Sequence, residues 1–111
     1  MPHMKRLSIV LMLALAVLAW GCALTLGRAF PSPDAAQIKV NVTDKAALER
    51  MFGDPYQVGL DNGDQTWRWF HGERGASMEV TKDFTVRFNA NGTVKSYSFT
   101  TNFPEDMLKL R

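Results

Sequence analysis

Two regimes of hydrophobic patterning divide the chain. Residues 7–20 are uncharged and almost continuously aliphatic, whereas beyond Gly27 apolar residues come singly or alternate with polar ones. Residues 23–37 contain Gly27, Pro31 and Pro33 and no sustained period, which predicts a tether holding at most a short helix opened by Ser32 and Pro33. Leu48, Met51 and Phe52 then recur at i, i+3, i+4. With Thr43 as cap, Asp44 in the first turn, Gly53 as stop and Pro55 beyond, they predict an amphipathic helix over 44–52. At under three turns it needs a surface to dock on.

That surface is predicted to be a sheet. Asp61-Asn62-Gly63-Asp64 is turn chemistry, and residues 66–70 read as a strand with Trp67 and Trp69 on one face. His71 to Gly75 reads as a loop. Phe84, Val86 and Phe88 alternate with polar residues in a second strand over 78–89. Asn89-Ala90-Asn91-Gly92 is a hairpin turn, and residues 93–100 return as a third strand. Pro104 followed by Glu105 and Asp106 opens a last helical turn whose Met107, Leu108 and Leu110 would cover a sheet edge. The predicted fold class is α+β, with one or two short N-terminal helices packed on a three-stranded antiparallel meander.

Alternation carried through the last hairpin defines two faces. If Asn89 pairs with Thr93, Phe88 lies beside Val94 and Arg87 beside Lys95. One face then takes Trp67, Trp69, Phe84, Val86, Phe88 and Val94 as core. The other joins three aromatics to three cations and is the candidate partner-binding surface: Arg68, Phe70, Arg87, Lys95, Tyr97 and Phe99. A second bulge near Ser96 would instead turn Tyr97 and Phe99 into the core.

The aliphatic run has the flanks of an export signal. Lys5 and Arg6 precede it, and the small residue Gly21 and Cys22 follow it. A cysteine placed there resembles the lipobox of bacterial lipoproteins, which makes residues 1–21 a signal peptide, Cys22 the lipidation site and residues 22–37 the lipidated N-terminus and tether. The domain proper is then 38–111. Because apolar character continues through Leu24 and Leu26, an uncleaved membrane-spanning helix from Leu7 to Gly27 is the alternative. Either way the domain lies outside the cytoplasm, by lipid anchor on an outer membrane or by one N-terminal helix in an inner membrane.

Charge and composition narrow the chemistry. The formal charge of +2 comes from 13 basic and 11 acidic residues, and Lys5 and Arg6 account for the excess. The remainder is neutral, which argues against a nucleic-acid partner, since that requires a basic stripe on the domain itself. Cys22 is the sole cysteine, so the domain holds no disulfide and depends on packing. His71 is the only histidine beyond His3 and reads as a solvated loop residue without the companions of a zinc or nucleophile site. No phosphate loop, EF-hand, cofactor motif or metal cluster stands out, and the chain does not read as an enzyme.

Taken together, Ile38-Lys39-Val40-Asn41-Val42-Thr43 leading into Leu48 to Pro55, the Trp67-Arg68-Trp69 strand, and the Phe88 to Val94 hairpin resemble the SmpA/OmlA (BamE-like) family of small envelope lipoproteins. The resemblance implies helices on one face of an antiparallel meander, a lipid anchor on the periplasmic face of the outer membrane, and action through contacts with another envelope protein. The β-barrel assembly machine is the candidate partner it suggests. A free-standing periplasmic binding or inhibitor module of the β-lactamase-inhibitor-like kind is the alternative.

Overall fold

The computed structural model describes residues 8–12 and 23–111; residues 8–12 are helical. Cys22 and most of the signal-like stretch lie outside the described residues. The rest is an α+β fold whose antiparallel sheet has five strands: β1 Leu24–Gly27, β2 Gln57–Asp61, β3 Asp64–Arg74, β4 Glu79–Phe88 and β5 Val94–Thr101. The expected meander is β3-β4-β5. Two strands beyond it, β2 and β1, lie end to end along the outer edge of β3.

The 11 residues of β3 are what allow this sharing. Its first half pairs with β2 through Asn62 and Gly63, which take φ of 51° and 86° and form a two-residue hairpin turn. Its second half pairs with β1, Leu24 opposite Arg74 and Gly27 opposite His71. The segment His71 to Arg74 is therefore strand rather than the expected loop. Gly72 makes room for it, because a Cβ there would stand 3.2 Å from Thr81 Cγ2 and 3.6 Å from the Leu26 Cβ.

Strand β1 corrects two expectations at once. A helix reaching Gly27 is incompatible with Leu24–Gly27 as strand, and that strand and the buried Phe30 both fall inside the 22–37 stretch that reads as a tether. Among the described residues no helix is long and apolar enough to cross a membrane. After Gly27 (φ +68°), Arg28 N–H donates to Phe70 O at 2.9 Å, and the chain crosses the sheet to bury Phe30 and Ile38. Between them Asp34 caps a 3-10 turn, Ala35–Gln37, and Gln37 returns the bond, so the cap is Asp34 and not Ser32.

Helix α1, Lys45–Phe52, forms as its periodicity predicts and buries Leu48 and Phe52 against the sheet. Its cap is Asp44, whose carboxylate accepts from Ala47 N at 2.9 Å. Thr43 is committed elsewhere: its hydroxyl accepts from Lys39 N at 2.8 Å and its carbonyl from Val94 N at 2.8 Å. The helix entrance is thereby tied to the start of β5. Helix α2, Pro104–Leu110, is longer than the single turn expected.

The core face carries Trp69, Phe84, Phe88, Val86 and Val94, covered by α1, Phe30 and Ile38. Phe52 meets Phe84 edge-on at 4.9 Å, and Trp69 stacks on Phe84 at 5.3 Å while donating to Gly53 O at 3.1 Å. Lys82 lies on this same face. Its ammonium donates to Phe30 O and Ser32 Oγ and faces the rings of Phe30 and Phe103, at 4.7 and 5.5 Å. Burial pushes its pKa below the usual lysine value, against the opposing pull of Asp106 and Glu105.

Candidate partner-binding surface

The face turned away from the helices is built by the even-numbered residues of β3 and the odd-numbered residues of β4. Arg68 lies opposite Thr85, and Phe70 opposite Asp83. Four of the six predicted surface residues are here: Arg68, Phe70, Arg87 and Lys95. The other two are not. Phe88 pairs with Val94 as expected, but Arg87 pairs with Ser96, so one extra residue, Lys95, bulges from β5. Tyr97 then opposes Val86 and Phe99 opposes Phe84, and both rings pack on the core, 6.2 and 6.5 Å from the Phe84 ring.

The bulge has a simple physical cause. Val94 and Tyr97 are separated by an odd number of steps, so unbroken alternation would expose one of them. Adding a residue lets Val94, Tyr97 and Phe99 all reach the core. The spacing of those three apolar residues was the available signal.

Electrostatically, the outer face is a lattice of ion pairs rather than a cationic patch. Arg68 binds Asp83 Oδ2 through Nε at 2.9 Å and Nη2 at 2.6 Å, and donates to Gln57 Oε1 at 2.6 Å. That carboxylate raises the guanidinium's pKa further. Arg87 binds Asp64 at 2.7 Å and Asp61 at 3.4 Å, while Lys95 reaches the same Asp64 oxygen at 2.9 Å. Hydrogen bonds from Lys95 and then Arg87 hold the Asp64 carboxyl below the usual carboxylate range. Each predicted cation thus meets a carboxylate, so the face offers little net charge. The Arg68 guanidinium covers the Phe70 ring at 4.8 Å, with Tyr56 beyond it at 6.4 Å.

A different surface carries the exposed apolar groups near a free backbone edge. Among the described residues strand β2 pairs with no strand but β3, and Val58 and Leu60 are 70% and 74% exposed. Both project beyond the cover of α1 and line, with Lys45, Gln65 and Trp67, a groove of about 380 Å³. Sequence reading missed β2, although Val58 and Leu60 alternate with polar or small residues directly before an Asn-Gly turn.

His71, expected as a solvated loop residue, is 7% exposed. Its Nε2 lies 3.3 Å from Glu73 Oε1, its ring stacks on Phe103 at 5.8 Å, and its Nδ1 has no hydrogen-bond partner among the described residues. Among the described residues no three His, Cys, Asp or Glu side chains converge as metal ligands do. Comparison with protein-family models, curated proteins and solved structures found no match.

Proposed function

We infer that this chain is a non-enzymatic envelope lipoprotein, anchored through Cys22 on the periplasmic face of an outer membrane, whose domain binds another envelope protein. The Lys5 to Cys22 stretch supports the location. The observation that carries the binding role is β2, whose outer edge has no partner among the described residues and which exposes Val58 and Leu60. Such an edge accepts an extended segment by strand addition: backbone hydrogen bonds supply affinity and the alternate side chains supply selectivity. A machine that handles β-barrel chains offers such segments, which is the partner class suggested by the SmpA/OmlA-like segments.

Arg68, Phe70, Arg87 and Lys95 are proposed as the secondary surface. Their ion pairs would have to be exchanged for contacts with the partner, so they contribute more to selectivity than to affinity. Photocrosslinking in intact cells tests both surfaces. A photoreactive residue at Val58 is expected to capture an envelope protein, and one at Thr85 to capture it less; no protein adduct from either position overturns the binding role. The mass of the mature N-terminus tests the anchor independently, with an acylated Cys22 as the expected result. Capture of a soluble target alone would favour the inhibitor-like alternative.

A further inference from the structure

We propose that the end of the sheet formed by Leu24, Arg74 and the Gly75 to Met78 turn rests in the bilayer interface, so that the membrane holds the domain in a fixed orientation. This rests on the anchoring reading of the Lys5 to Cys22 stretch. The chain leaves that stretch and enters the fold almost at once: Leu24 is already paired with Arg74. Two residues span at most about 7 Å. The headgroup zone on each side of a bilayer is roughly 5–7 Å deep, so an anchored Cys22 leaves Leu24 at that level. No slack remains for the domain to swing away.

The chemistry of this end suits the location. Leu24 and Met78 are 56% and 62% exposed, although nothing in the fold requires apolar residues there. They border a shallow cavity of about 330 Å³ whose lining includes Thr25, Ser77 and Val80. The turn between β3 and β4 is closed by Gly75 N–H donating to Met78 O at 2.8 Å, and Met78 lines the same cavity as Leu24. Arg74 and Glu79 are 3.8 Å apart, and Glu73 is exposed nearby, so the end carries no cationic surplus. Contact with lipid is therefore apolar insertion rather than attraction to anionic headgroups, and it is insensitive to salt. The opposite end, at the Asn89 to Gly92 turn, is separated by the 10 residues of β4 and points to solvent.

The test uses the full-length protein in vesicles of phosphatidylethanolamine and phosphatidylglycerol. An environment-sensitive fluorophore is placed at Ser77→Cys and, separately, at Ala90→Cys; the parent chain labelled in parallel reports any free Cys22. Quenching by lipids spin-labelled at shallow acyl positions is expected to be several-fold stronger at position 77 than at 90, with aqueous iodide giving the reverse order. Adding Leu24→Asp and Met78→Asp should weaken the shallow-lipid quenching at position 77 several-fold, by removing the apolar insertion, while the protein stays with the vesicles through its anchor. Equal access of iodide to both positions in vesicle-bound protein overturns the proposal and leaves the anchor standing. Protein that does not float with vesicles overturns both.

Discussion

Gly27 shows how much one residue decides. It holds φ +68°, and a Cβ there would come 2.2 Å from Phe70 O, so no other residue allows β1 to turn into the segment that covers the core. Gly27→Ala is expected to cost about 1–3 kcal/mol, read as a lower urea midpoint, because both the backbone strain and the contact are unfavourable. Asp64 is the electrostatic counterpart, accepting from Arg87 and Lys95 together. Its folded pKa is depressed, so its stabilisation is present above about pH 4 and is lost as pH falls through the lower folded value. Wild type and Asp64→Asn should therefore differ in stability at neutral pH and converge in acid; a constant difference down to the acid transition would contradict this.

Among the elements, β5 is where register outweighs strict alternation. The bulge at Lys95 places Tyr97 and Phe99 on the core and Ser96 and Ser98 outside. Tyr97→Ala is expected to lower stability by about 2 kcal/mol, less than the roughly 3–5 of a fully buried aromatic, since Tyr97 is half-buried. Ser98→Ala should stay within about 0.5 kcal/mol. Chemical denaturation of the pair distinguishes this register from the unbroken one, in which Tyr97 would be an exposed residue with little effect. Helix α1 was legible because its apolar spacing, Gly53 stop and Pro55 all agree. Strand β2 was less so, because its five residues hold only Val58 and Leu60 as apolar positions, separated by Gly59, which weakens an alternation that the Asn-Gly turn alone supports.

For the molecule as a whole, one face of the sheet is covered and the other is not. The cover includes Phe30, from the 22–37 stretch whose sequence reads as a tether, and Ile38, at the start of the expected domain. Phe30→Ala should lower stability by about 3–5 kcal/mol as a core truncation, whereas the same change in a true tether would be silent in a melting experiment. Lys82 joins this region to α2 by facing both Phe30 and Phe103, so β4 anchors the first and last segments of the domain together. The absence of slack between Cys22 and β1 makes the anchor and the sheet one mechanical unit under the proposed attachment.

By itself the sequence determined what local chemistry can dictate: helix α1, the three strands of the meander, the two Asn-Gly turns, the aromatic core of β3 and β4, and the signal-like stretch ending at Cys22. Only the tertiary structure decided the rest. His71 became a buried strand residue because β1 and β4 flank it, and Tyr97 became core because Val94 had to be core as well. Arg68 became paired because Asp83 reaches it from the adjacent strand, Arg87 because Asp64 of β3 and, beyond it, Asp61 of β2 meet it, and Lys95 because its side chain reaches Asp64 across β4. Each of these depends on which distant segments meet, and pairing across the sheet is set by the packing of the whole core rather than by any window of the chain.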